Sequence, residues 1–178
     1  ESPKNASYDS IKTVAHDYKL VDNLDDMVAI RDFFMTKEAV SLDTETTSTQ
    51  AIEAELVGLS FAVEEHKAYY VPVPAEREQT QTIVNIFKPL YEHPKILKIG
   101  QNIKYDLEVL AAYGVKLAGP MFDTMIAHYL IQPELRHNMD FMAEVYLHYR
   151  TIHIDELIGP KGKKQLSMRD LAPEQVYE

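Results

Sequence analysis

The chain has 178 residues, 46% of them apolar, enough for one well-packed domain and little more. Its formal net charge of −10 argues against a broad, phosphate-neutralising hold on duplex nucleic acid, while short-range chemistry on a single strand stays open. With no Cys, a disulfide framework, a thiolate zinc site and a Cys nucleophile are all excluded.

Residues 1–17 are polar and aperiodic and read as a lead-in or linker, with residues 18–178 as one domain. No apolar run approaches the roughly 18 residues of a membrane span, and Glu1-Ser2-Pro3-Lys4-Asn5 shows no apolar signal region. Tyr18-Lys19-Leu20-Val21 predicts a short strand. Asn23 then offers an N-cap for a helix with Met27, Ile30 and Phe34 on one face. Three strands follow: Ala39 to Asp43, the apolar run Glu55 to Val63, and Ala68 to Val73. The short gap between the last two predicts an antiparallel hairpin. A helix is expected from about Thr80 to Tyr91, then a strand at Lys95-Ile96-Leu97-Lys98-Ile99 closed by Gly100. Asn102 is the expected N-cap of a helix ending at Gly114. Phe122-Asp123-Thr124 opens another, and a further helix covers about Asp140 to Tyr149. Periodicity weakens after Arg150, around the loop Gly159 to Lys164, and a helical stretch is expected near Glu178. The sum is an α/β domain with three layers and a mixed, mostly five-stranded sheet flanked by helices. A ribonuclease-H-like fold is the natural candidate, although periodicity does not separate it from other three-layer α/β folds.

The chemistry concentrates at Ser41-Leu42-Asp43-Thr44-Glu45-Thr46-Thr47. Side chains alternate along a strand, so Asp43 and Glu45 share one side while Val40 and Leu42 share the other. Paired carboxylates at a strand end make half of a hard-cation site. Asp-x-Glu is cheap, however: Asp106-Leu107-Glu108 repeats it. Asp106 lies four residues after Asn102, on the same helix face and near the positive helix end. If the strand end meets this helix start, three carboxylates crowd one cleft. Their pKa values then rise unless a divalent cation neutralises them. An all-oxygen donor set points to Mg²⁺ or Mn²⁺. Asp123 is sufficiently explained as an N-cap, and the seven His residues show no ligand spacing. Lys161, Lys163 and Lys164 form a basic loop that is either solvated or a phosphate contact.

Ser41-Leu42-Asp43-Thr44-Glu45-Thr46, Gly100-Gln101-Asn102-Ile103-Lys104-Tyr105-Asp106 and Phe122-Asp123-Thr124-Met125 together resemble the 3′→5′ proofreading exonuclease domain of bacterial DNA polymerase I. This belongs to the DEDD exonucleases, of ribonuclease-H-like fold. Leu56-Val57-Gly58-Leu59-Ser60-Phe61 and Gly162-Lys163-Lys164-Gln165-Leu166 extend the similarity without catalytic carboxylates. The resemblance implies that Asp43, Glu45 and Asp106 are catalytic and metal-binding. It implies that Thr44, Thr46, Gln101, Asn102, Tyr105 and Lys163 bind the terminal nucleotide. Two Mg²⁺ or Mn²⁺ ions would activate water and stabilise the leaving 3′ oxygen, with Asp43 bridging both. The implied partners are the 3′ end of single-stranded DNA and a polymerase domain of the same parent chain, without a membrane. The implied place is the bacterial cytoplasm, in association with the nucleoid.

Two departures stand out. Thr49 occupies the position where the family commonly has an apolar wedge. The family's third motif, Tyr-x-x-x-Asp, is expected just beyond Glu178, so this stretch is expected to be truncated and nearly inactive by itself. The competing readings are a vestigial, structural module of a family A polymerase and a free-standing nuclease of the ribonuclease D or Werner type.

Overall fold

In a computed structural model of the chain, residues 8–160, 162 and 165–177 are described. The chain runs β1 (Asp17–Leu20), α1 (Leu24–Phe34), β2 (Ala39–Thr46), β3 (Leu56–Glu64), β4 (Lys67–Pro72), α2 (Arg77–Tyr91), β5 (Leu97–Gly100) and α3 (Ile103–Ala111). It continues through β6 (Met121–Asp123), α4 (Thr124–Ile131), α5 (Met139–Met142), α6 (Ile154–Ile158) and α7 (Pro173–Val176). Local chemistry sets the helix starts. Asn23 sits in extended backbone and accepts the Asp26 N–H at 2.9 Å, so α1 begins where its cap predicts. α2 begins earlier than predicted because Glu76 accepts the N–H groups of Glu78 and Gln79, which hold its carboxyl below the usual range.

The six strands form one mixed sheet in the order β1-β4-β3-β2-β5-β6. β2, β3 and β4 are antiparallel, as the short hairpin connection requires, while β5 and β6 add in parallel on the other side of β2. The expected five strands become six because Met121 to Asp123, read in the sequence as a helix entry, pairs with Lys98 to Gly100. Three residues are too few to display a period of two.

One face of the sheet carries Val40, Leu42, Leu59, Phe61 and Val71, all buried beneath α1 and α2. Phe61 anchors this layer, stacking on Phe87 at 4.8 Å and meeting Phe34 at 5.3 Å between ring centroids. The opposite face carries Ser41 and Asp43, which line a hollow together with Met139, Met142, Tyr146 and Leu147. Arg169 ties the C-terminal segment to the sheet, donating to the backbone carbonyls of Val73 and Leu56.

The expected helix from Asp140 to Tyr149 is interrupted. α5 ends at Met142, and Ala143 to Leu147 form a wider π-helical turn that stops at His148 in left-handed backbone. Beyond it the chain is extended, because Asp9 bridges Tyr149: its N–H donates to the His148 carbonyl at 2.8 Å and its carbonyl accepts the Arg150 N–H at 2.7 Å. The pairing also draws the end of the lead-in onto the domain. Lys98, on β5 between β2 and the edge strand β6, is wholly buried and pairs with no carboxylate among the described residues. Its ammonium donates to the carbonyls of His93 and Ala118, and burial lowers its pKa.

Gly58 faces Glu45 on β2 and Pro72 on β4. A Cβ there would fall inside the ring of buried Tyr70. Gly58→Ala should lower stability by about 1–3 kcal/mol in urea denaturation. Adding Tyr70→Leu should make the combined loss smaller than the sum of the single losses. Strict additivity would show that the ring does not need the space.

Candidate active site

β2 pairs with β5 only from Ala39 to Ser41, whereas its pairing with β3 runs on to Thr46. The last residues of β2 therefore have one backbone edge without a strand. Asp106, on α3 just after β5, fills that edge. Its Oδ1 accepts both the Thr44 N–H at 2.9 Å and the Thr44 hydroxyl at 2.7 Å. The carboxylate is 1% exposed. A register shift between Glu45 and Thr46 then bends the strand end, and such irregularities re-aim side chains.

Asp123 brings α3 into place. Its carboxylate accepts the backbone N–H groups of Asn102 and Ile103 at the head of α3, at 3.1 and 2.9 Å. It also accepts those of Met125 and Ile126 at the head of α4. The capping role expected of Asp123 thus extends to a second helix. Asn102, expected to cap α3 with its own side chain, makes no such bond. It stands in left-handed backbone, a conformation Asn tolerates better than most residues, and leaves the capping to Asp123.

The three carboxylates act on one another. Burial, then Asp106, then Glu45 push the Asp43 carboxyl up to about 8, against an opposing bond from the Thr44 backbone. Burial and Asp106 raise Glu45. Burial also raises Asp106, although its bonds from Thr44 oppose the shift. Beneath them the fully buried Tyr91 hydroxyl has no hydrogen-bond partner among the described residues, and burial, Asp106 and Asp43 hold its pKa well above normal. The site is an accumulation of like charge in a poorly hydrated place.

Two hollows flank the end of β2. A cleft of about 490 Å³ is lined by Thr44, Glu45, Thr46, Asn102 and Tyr105 on one side and by Ile154, Ile158, Leu166 and Met168 on the other. Within it the Thr46 and Tyr105 hydroxyls lie within hydrogen-bond distance of each other and of the Ser48 carbonyl, and with one hydrogen each they make two of these three bonds at a time. A second cavity, about 400 Å³, is lined by Ser41, Asp43, Gln101, Met142 and Tyr146. The residues expected to share one site are thus divided, with Asp43 and Gln101 lining the second hollow. Gln101 is held there by the His137 carbonyl at 2.6 Å and by the Thr124 hydroxyl. Thr44 spends its amide and hydroxyl on Asp106. Lys163 and its neighbours Lys161 and Lys164 lie outside the described residues. A larger, mostly apolar cavity of about 650 Å³ beside Met27, Tyr70, Ile83 and Leu171 holds none of the carboxylates. The apolar wall of Ile154, Ile158 and Leu166 was not foreseen, because short helices and loops give no periodic signal.

The carboxylate set suits a hard cation in its chemistry, since all its donors are oxygens and its mutual repulsion is what a cation would relieve. Among the described residues, however, no three His, Asp or Glu side chains converge closely enough to hold an ion. One oxygen of Asp106 accepts both bonds from Thr44, which leaves its other oxygen for any ligand.

A three-layer α/β domain with acidic groups at the end of a central strand is an architecture shared with nucleases. The fold resembles Brucella melitensis NrnC with bound Mg²⁺ at a TM-score of 0.61 and 22% identity, covering 92% of this chain and 74% of that one. It also resembles the catalytic core of RRP6 from Trypanosoma brucei at a TM-score of 0.65 and 15% identity, covering 92% and 44%. The fold is ribonuclease-H-like. More specifically, the chain belongs to the 3′-5′ exonuclease family of the DNA polymerase A type, which matches residues 18–172. DNA polymerase I of Pseudomonas aeruginosa is 42% identical over 148 residues, 78% of this chain and 16% of that protein. DNA polymerase I of Borreliella burgdorferi is 34% identical over 168 residues, 89% and 18% respectively. The chain therefore spans less than a fifth of these relatives' length. Among the described residues no helix is long and apolar enough to cross a membrane.

The Asp43 pKa has a consequence for stability. Between its ordinary value near 3.8 and about 8, the folded chain keeps a proton that the unfolded chain has lost. With divalent cations chelated, stability should fall as pH rises through this window. Asp43→Asn should flatten that decline in denaturation curves taken at successive pH values. A decline unchanged by the substitution would place the destabilising proton elsewhere.

Proposed function

We propose that the chain is the 3′→5′ exonuclease module of a DNA polymerase I, hydrolysing the 3′-terminal phosphodiester of single-stranded DNA as a proofreading step. The observation that carries this reading is the placing of Asp43 and Glu45 at the end of β2, with Asp106 bonded to Thr44 between them and raising both carboxyls after burial. Family membership agrees with it.

In this reading Asp43, Glu45 and Asp106 hold Mg²⁺ or Mn²⁺, two ions in the complete site. When bound, the metal supplies an activated water and stabilises the leaving 3′ oxygen. Thr44 acts through Asp106, holding its carboxylate against the strand end. Asn102, Tyr105 and Thr46 face the terminal sugar and phosphate from the polar side of the cleft. Ile154, Ile158 and Leu166 offer its base an apolar wall where Thr49 supplies no wedge. Gln101 supports the second hollow, and Lys163 is assigned to the phosphate backbone. Residues 18–178 act as one unit beside a polymerase domain of the parent chain, in the bacterial cytoplasm near the nucleoid. Duplex binding falls to that polymerase domain, in keeping with a net charge of −10 here. The sequence after Asp123 holds no Tyr-x-x-x-Asp, the motif that the resemblance calls for, so the 178-residue stretch by itself is expected to be slow. The same observation is what a vestigial, purely structural module would show.

The test is release of nucleotides from the 3′ end of a 5′-labelled single-stranded oligonucleotide. It uses this chain and a version extended by about 40 residues, enough for a long helix. The extended form should be the faster, depend on Mg²⁺ or Mn²⁺, and lose about 10²-fold or more with Asp43→Ala. An extended form that is inert, with or without Asp43→Ala, establishes the vestigial module. Equal rates for the short and extended forms overturn the account of the slow fragment.

A further inference from the structure

A chain of titratable groups outside the carboxylate cluster ends at the same cavity as Asp43. His128, on α4, is 5% exposed and uses both ring nitrogens. Its Nδ1 lies 2.7 Å from His137 Nδ1, and its Nε2 lies 2.9 Å from the Tyr146 hydroxyl. Tyr146 lines the hollow that Asp43 and Gln101 also line. The His137 backbone carbonyl accepts the Gln101 amide at 2.6 Å. The two histidines and Tyr146 therefore connect the α4 core to the wall and floor of that hollow.

The hydrogen inventory of this chain is restrictive. A neutral imidazole has one donor and one acceptor nitrogen, and an imidazolium has two donors. With both rings neutral, the Tyr146 hydroxyl donates to His128 Nε2 while His128 Nδ1–H donates to His137, or both bonds run in reverse. One added proton is accommodated: His128 then donates in both directions, and the Tyr146 hydroxyl hydrogen turns into the hollow beside Asp43. A second proton on His137 sets one N–H against another across 2.7 Å and breaks the contact. Among the described residues no carboxylate bonds either ring. The Tyr129 ring stands edge-on to His137, Phe141 flanks His128, and Arg136 lies over Phe141. Asp140 is engaged by Thr151 and His153.

We propose that the His137–His128–Tyr146 chain is a proton-limited switch that positions Gln101 and the Tyr146 hydroxyl at the hollow beside Asp43. One proton is tolerated and a second releases the wall. His128 and His137 are positioning residues in this account, acting through Tyr146 and Gln101. The inference rests on the nuclease reading for its effect on catalysis, but not for the proton behaviour itself.

Histidine changes charge between about pH 5 and 8, so the window is experimentally open. Ring-nitrogen NMR of this chain across that range should show His128 and His137 taking up protons as a coupled pair, with the Tyr146 ring signals following. His128→Gln keeps amide contacts to both neighbours without titrating. Exonuclease activity of the extended chain should fall about fivefold more on acidification with His128 than with Gln at this position, the worth of one part-buried hydrogen bond. Any titration of Asp43 is common to both proteins and drops out of the comparison. Independent titration of the two rings, with Tyr146 unmoved, overturns the switch. Coupled titration with superimposable activity profiles overturns its link to the hollow. If no variant shows nuclease activity, the nuclease reading fails while the NMR result still decides the switch.

Discussion

The structure depends on the pair of hydrogen bonds from Thr44 to Asp106. Where β5 stops pairing, β2 would expose an unpaired peptide N–H inside the domain, and an orphaned buried donor costs about 1–3 kcal/mol. A side chain from the helix after β5 satisfies it. That one contact links the central strand to α3, carries a carboxylate to the strand end, and brings it to bear on Asp43 and Glu45. It also consumes one oxygen of that carboxylate, so the interaction that assembles the site limits what the site can hold in this arrangement.

Asp123 is the complement of this contact. Its two oxygens serve four backbone N–H groups at the heads of α3 and α4. A helix head is partially positive, and here two of them converge on one carboxylate. The arrangement commits Asp123 to architecture, apart from the three carboxylates at the end of β2. It also lets Asn102 adopt left-handed backbone, since capping no longer depends on it.

The acidity of the site and of the chain have different meanings. The net charge of −10 concerns long-range encounter and says little about a particular residue. The raised Asp43 pKa is local, caused first by burial and only then by neighbouring carboxylates. Asp43 lines a hollow whose other wall is the interrupted segment at 139–147. The π-helical turn ends at His148 in left-handed backbone, directly before the stretch that pairs with Asp9.

The sequence by itself determined the strand–helix order, the antiparallel hairpin, the side-by-side placement of Asp43 and Glu45, and family membership. These follow from strand alternation, short connections and motif spacing, all of which are local. It also singled out Asp106 and recognised Asp123 as a cap. Only the tertiary structure decided that Asp106 bonds Thr44, that Asp123 caps α3 in place of Asn102, and that Met121 to Asp123 form a sixth strand. It alone placed Gln101 in a different hollow from Tyr105, and joined His128, His137 and Tyr146, which lie nine and eighteen residues apart along the chain. The reason is common to all of them: each is a partner choice for a polar group whose competitor is solvent or another residue far along the chain, and packing settles which partner is within reach.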